Sequence, residues 1–176
     1  FWRRLTLNHP ELVMPGKSAG FDSENAPAQR YRRLYPHKSI EECRNIMWGM
    51  EPDTALAKLI TLEQEFSLLK GQLDNWVFTG GGGDRQNYTH ATQIQIRHGF
   101  REDRTEARNR ILACWRQETA QMRASDGTTI GLELDLSNLT LETLPDIRVD
   151  FSHVGSLKLK KMNLQTSPEG FLTHFR

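Results

Sequence analysis

The chain has 176 residues, enough for one sizeable domain or two small ones, and only 37% are hydrophobic at a mean hydropathy of −0.62. A formal charge of +1 gives no bulk reason to expect a nucleic-acid partner, and no apolar run reaches the length of a bilayer span. A composition this lean in core-forming residues suits an elongated helical or repeat architecture, where each unit buries one face against its neighbours.

In residues 1–30, Pro10, Pro15, Gly16, Gly20 and Pro27 interrupt any periodic run, which predicts loop with at most a short helix from Pro10 to Met14. Tyr31 to Pro36 reads as an extended approach, so residues 1–36 form an irregular opening segment. Ser39-Ile40-Glu41-Glu42 then has the Ser-x-x-Glu form of a capping box. Ile40, Cys43, Ile46, Met47 and Met50 follow at helical spacing, predicting a helix from Ser39 to Trp48 that Gly49 ends. Pro52 opens the next helix at a position where its missing N–H costs nothing. Its apolar residues Ala55, Leu59, Leu62, Phe66, Leu69, Leu73 and Trp76 keep a heptad seam. A seam that narrow implies an antiparallel partner helix in the chain, or an oligomer.

Gly80-Gly81-Gly82-Gly83 reads as a flexible break. Gln86 to Gly99 is ambiguous: Ile94 and Ile96 alternate with polar residues, yet the stretch could equally open the next helix. Arg101 to Arg123 reads as helix, with Ala107, Ile111, Leu112, Trp115 and Met122 on one side and Arg101, Arg104, Arg108 and Arg116 largely on the other. A helical hairpin across the polyglycine break fits both halves, making residues 37–125 a helical segment.

After the Asp126-Gly127 turn the periodicity changes to two. Leu132, Leu134 and Leu136 alternate with Glu133 and Asp135, followed by Leu139, Leu141 and Leu144-Pro145. Val154, Leu157, Leu159, Met162 and Leu164 occupy matching places 23 residues on from Gly131, Leu134, Leu136, Leu139 and Leu141. Two copies in register match the leucine-rich-repeat pattern, with Leu139 and Met162 where that pattern usually has Asn and Gly131 at the first position of its copy. The expected fold is therefore a mostly α helical hairpin or bundle followed, over residues 126–176, by the start of an α/β leucine-rich-repeat solenoid. A small βα domain with a leucine-rich sheet is the alternative.

The residue between the two strand leucines points away from the core in each copy: Asp135 in the first, Lys158 in the second. Glu133 extends the first copy's negative charge, while Lys160 and Lys161 extend the second copy's positive charge. These five residues are the candidate partner-binding face, expected to be acidic at one end and basic at the other.

Searches for other chemistry end in bland readings. No Lys-Ser or Lys-Thr follows the glycines, and Asp84 would repel a phosphate. The six histidines (His9, His37, His90, His98, His153, His174) include no i, i+4 pair, so no metal or other cofactor is expected. Cys43 and Cys114 lack metal-like spacing and sit in helical patterns as small hydrophobes. Glu41/Glu42, Glu63/Glu65 and Glu102/Asp103 are neighbours that do not face one another on a helix. Glu102, Asp103 and Glu106 interleave with Arg101, Arg104, Arg108 and Arg110, so salt bridges within the chain are the expectation on that face; Arg30, Arg32 and Arg33 form a second basic cluster.

Several local patterns occur together and in order. They are Tyr31-Arg32-Arg33-Leu34-Tyr35-Pro36 with the capped helix after it, Asp74-Asn75-Trp76-Val77, Ile111-Leu112-Ala113-Cys114-Trp115-Arg116, Leu134-Asp135-Leu136-Ser137 running to Leu144-Pro145, and Asp150-Phe151-Ser152-His153-Val154. In this the chain resembles the middle of large secreted proteins of pseudomonads and related bacteria: the leucine-rich-repeat effectors of the novel-E3-ligase (NEL) class, often with a dermonecrotic-toxin-like N-terminal region. The resemblance implies a protein-interaction scaffold, secreted or translocated into a host cell, with a host protein as its partner. It also implies a Cys-dependent E3 ubiquitin ligase overall, whose catalytic domain follows the repeats. Neither Cys43 nor Cys114 matches that domain's motif, so no catalytic residue is carried over. The chain opens without Met and stops where another repeat should start, so an excerpt of a longer protein is expected. Competing readings are a non-enzymatic repeat-based binding protein and a helical oligomerisation module.

Overall fold

The computed structural model describes residues 27–79 and 90–175. The Pro10–Met14 helix, the polyglycine stretch and residues 86–89 fall outside the described residues. The chain divides into two compact units between Ser67 and Leu68.

The first unit contains α1 (Pro27–Leu34), α2 (Ile40–Trp48) and the first part of α3 (Pro52–Thr79). Tyr31 to Leu34 is helical, which corrects the extended reading. Pro27 suits a first turn, Pro27, Ala28, Tyr31 and Leu34 make one buried stripe, and Arg32 and Arg33 fall at the helix's negative end. The capping box of α2 forms: Ser39 Oγ accepts from the Glu42 N–H at 3.2 Å, and Glu42 Oε2 accepts from the Ser39 N–H at 2.7 Å. Its buried side chains are Cys43 and Met47, and the Gly49 N–H closes the helix on the Asn45 carbonyl. Tyr31 and Tyr35 stack at 4.7 Å, and Arg30 forks onto Glu63 with contacts of 2.9 and 2.7 Å.

The second unit begins within α3. Here Leu69, Leu73, Trp76 and Val77 are buried, whereas Leu62 and Phe66 before the boundary are half-buried. The next helix, α4 (His90–Trp115), takes in residues 90–99. Arg104 Nε donates to the Val77 carbonyl at 3.1 Å and Arg108 Nε to Asp74 Oδ1 at 2.5 Å, so α4 runs antiparallel to the end of α3. Ala107, Ile111, Leu112, Cys114 and Trp115 are buried.

The expected helix through Arg123 stops at Trp115. Gln117 turns the chain with φ of 60°, and Gln121–Arg123 becomes strand β1. The turn at Gly127 (φ 85°) leads to β2 (Thr129–Asp135), which β1 joins antiparallel; β3 (Val154–Lys158) joins the other side of β2 in parallel, giving the order β1-β2-β3. The β2–β3 register sets Leu134 against Leu157 and Asp135 against Lys158, the 23-residue offset read in the sequence.

The solenoid expectation is corrected. Among the described residues the fold is five helices and one small mixed three-stranded sheet, closed by the short α5 (Glu169–Leu172). The leucine spacing specifies the register of two strands, but β1 caps β2 antiparallel and no helix lies between β2 and β3. Leu139 and Met162 also cannot provide the side-chain bonds to backbone that Asn would supply in a repeat ladder. Ser137 supplies one instead, its Oγ accepting from the Lys160 N–H at 3.1 Å.

The β2–β3 connection packs by its own alternation: Pro145, Ile147, Val149 and Phe151 are buried, while Asp146, Arg148, Asp150 and Ser152 are exposed. It is tied to the helices by Trp76 Nε1 donating to Thr143 Oγ1 (3.2 Å), the Thr140 N–H to Asp103 Oδ2 (2.7 Å) and the Arg148 N–H to Gln72 Oε1 (3.0 Å).

Candidate functional site

The five charged residues singled out from the sequence lie on β2, β3 and the residues just after β3. Glu133 and Asp135 are half-buried on β2, as is Lys158 on β3, while Lys160 and Lys161 are exposed. The structure therefore brings the acidic and basic residues together on neighbouring strands, though with different partners from those the register alone suggests. Lys158 Nζ reaches diagonally to Glu133 Oε2 at 2.7 Å. Asp135, directly opposite Lys158, bonds to its own chain instead, Oδ1 accepting from the Ser137 N–H at 2.8 Å.

This division shows in the proton affinities. Hydrogen bonds from Ser137 hold the Asp135 carboxyl below its usual range, with attraction from Lys158 and Arg110 adding to the effect. The bond to Glu133 raises the Lys158 ammonium above its usual value. Both groups are charged through the neutral range.

Arg110 was read only as part of a basic helix face. Its Nε pairs with Glu106 at 2.8 Å, and its Nη1 reaches the carbonyls of Asp135 (3.2 Å) and Ser137 (3.4 Å). Beside it lies a depression of about 340 Å³ lined by Arg110, Thr119, Glu133 and Asp135 together with the apolar Ala113, Ala120 and Leu134.

Past the strands, Asn138 (φ 63°) and Lys161 (φ 55°) both take the left-handed conformation. The Asn138 N–H donates to the Lys160 carbonyl at 2.9 Å, so the two turns remain hydrogen-bonded beyond the strands. Together with the Lys160 N–H donating to Ser137 Oγ, this bond holds Lys160 beside Ser137 and Asn138.

Gly131, which looked like a worn repeat position, is instead a requirement of the sheet. With φ of 142°, a Cβ there would lie 2.5 Å from the Gly155 nitrogen and 2.8 Å from the His153 carbonyl oxygen. A Cβ at Gly155 would lie 2.6 Å from the Ile130 carbonyl oxygen. The register shifts there: Val154 pairs with Leu132, not with Gly131, before Glu133 meets Ser156. Glycines on both strands at the strand starts were the available signal.

Elsewhere, the cysteines are buried and burial raises both thiols. That state disfavours the thiolate a nucleophile needs. Among the described residues, no three His, Cys, Asp or Glu side chains cluster as metal ligands, and no helix is long and apolar enough to cross a membrane. The side chains of His90 and His98 lie outside what the structure describes. Compared with protein families, curated proteins and solved structures, the chain finds no match.

Proposed function

We propose that this chain is a protein-interaction scaffold whose contact face is the strand surface carrying Glu133, Asp135, Lys158, Lys160 and Lys161. One observation carries the reading. The acidic side is neutralised internally, by Lys158 on Glu133 and by backbone N–H on Asp135, while exposed Lys160 and Lys161 have no ion pair among the described residues. The net effect is a positive end on a polar surface whose acidic groups are already partnered. Two exposed lysines beside a sheet favour an acidic protein partner through steering and complementarity.

The resemblance to the NEL class supports placing this scaffold in a secreted bacterial effector that transfers ubiquitin. In that setting the scaffold would select a host protein, and the transfer chemistry would belong to other residues than Cys43 and Cys114. The test uses full-length protein and a host-cell partner purified on it. Reversing Lys160 and Lys161 to Glu should weaken binding and flatten its salt dependence without lowering the melting temperature. Unchanged affinity together with unchanged salt dependence overturns the reading.

A further inference from the structure

The two sides of β2 are finished differently from the outer side of β3. On one flank, β2 is covered by the three-residue β1, and past β1 the Glu133 N–H donates to the Ala120 carbonyl. Beyond that, Arg110 takes the carbonyls of Asp135 and Ser137. The Glu133 N–H and the Asp135 and Ser137 carbonyls are thus partnered on this flank.

Among the described residues, no strand follows β3 in the sheet. The Leu136 N–H donates to the Lys158 carbonyl and the Asn138 N–H to the Lys160 carbonyl, so Lys158 and Lys160 are the residues whose peptide groups face β2. By strand alternation, the N–H and C=O groups of Leu157 and Leu159 face away from β2, and among the described residues no backbone group pairs with them.

The apolar side chains tell the same story. On the first copy Leu132, Leu134, Leu136, Leu139 and Leu141 are all buried, Leu134 and Leu136 completely. Their counterparts Val154, Leu157, Leu159, Met162 and Leu164 are every one half-exposed. An uncovered apolar row therefore runs beside an unpaired edge, and the cationic side chains of Lys158, Lys160 and Lys161 lie on and just past the strand.

We propose that the outer edge of β3 accepts an extended acidic segment of a partner protein as a fourth strand. Its backbone would pair with Leu157 and Leu159, its apolar side chains would extend the cover over the half-exposed row, and its Asp or Glu residues would meet the lysines. Lysines on an edge strand also prevent self-association, and here they select among occupants. A second copy of this chain would set the same lysines against one another, whereas an acid-bearing strand gains from Lys160 and Lys161, which have no ion pair among the described residues. This inference rests on the reading of the strand surface as an interaction scaffold, and specifies how the partner is held.

The test titrates this chain with a peptide of about ten residues in which Val and Ile alternate with Glu, a length near that of ordinary strands. Three comparison probes are the same peptide with Lys for Glu, the same peptide with a central proline, and no peptide over a range of protein concentrations. Strand addition predicts that the acidic peptide slows amide exchange at Leu157 and Leu159. The Lys peptide should bind at least about tenfold more weakly, and the K160E/K161E variant should reverse that order. The proline peptide should lose most of the binding.

Acidic-peptide binding that tolerates proline and leaves those amides unprotected overturns strand addition while keeping the scaffold reading. Protection that rises with protein concentration alone also overturns it, in favour of a second copy. If the acidic peptide fails to bind, the edge is simply blunted by its lysines and the proposal is wrong; the scaffold reading then stands or falls separately on the salt dependence of full-length binding.

Discussion

Replacing Gly131 by Ala tests the close approach of β2 and β3 more directly than any leucine change. Two costs add at that position. A φ of 142° lies where L side chains are strained, which costs roughly 1–2 kcal/mol. The new Cβ would also sit 2.5 Å from a backbone nitrogen and 2.8 Å from a backbone oxygen, neither of which can swing aside as a side-chain tip would. Relieving such overpacking costs roughly 1–3 kcal/mol more. The expected loss is therefore about 2–5 kcal/mol, concentrated in the sheet. Two other glycines serve as controls. Gly127→Ala has a positive φ of 85° but nothing within 4 Å, so it isolates the backbone cost. Gly71→Ala lies in α3 with open space around it and should stabilise by roughly 0.5–1 kcal/mol. Amide exchange at Leu132 and Leu134, read beside denaturant unfolding followed by tryptophan fluorescence, separates local from general loss. If Gly131→Ala costs no more than Gly127→Ala, the close approach of the strands is not what fixes glycine there.

The remaining expectations follow from burial and charge. Leu136→Ala should cost about 2–5 kcal/mol and Leu159→Ala roughly half as much, because Leu136 is fully buried and Leu159 is half-exposed; equal midpoint shifts would refute the asymmetry between the strands. Hydrogen bonds from Lys70 and then Arg108 lower the Asp74 pKa, so its contribution is present above about pH 4 and is lost as pH falls through the lower folded value. Acid melts of Asp74→Asn should accordingly depend less on pH below about 4 than those of the native chain. Lys161→Asn should stabilise by roughly 0.5–1 kcal/mol, since Asn tolerates the left-handed turn better than Lys, and a lowered melting temperature would contradict this.

Elements fixed by adjacent residues were the legible ones. The capping box and Gly49 bracket α2, and the seam of α3 runs as its spacing requires, with a half-buried stretch at Leu62 and Phe66. Elements fixed by one residue's backbone conformation were not. Nothing in Trp115-Arg116-Gln117 announces that Gln117 turns left-handed, so the apolar pattern reaching Met122 read as continuing helix. The alternation from Pro145 to Phe151 was legible in principle, but the repeat pattern accounts for the leucines and not for Ile147, Val149 and Phe151. The solenoid reading failed for a related reason. Matching leucines determine how two parallel strands align, but the number and direction of the other strands depend on edges that carry no leucine signature, as β1 shows.

The charged surface shows how far register alone can carry a prediction. Offset counting placed Asp135 opposite Lys158, and the backbone obeys it. Side chains then chose by competition. Asp135 is short, and two residues on lies the Ser137 N–H, at the start of the turn through Asn138; a local bond of 2.8 Å takes the carboxylate before a cross-strand lysine can. Glu133 has one more methylene and reaches diagonally for Lys158. With Lys158 thus engaged, the positive character of the surface passes to Lys160 and Lys161; Lys160 is held by its own N–H donating to Ser137 Oγ and by its carbonyl accepting from the Asn138 N–H. The residues holding the basic end in place are therefore uncharged turn formers, which a search for charged clusters passes over.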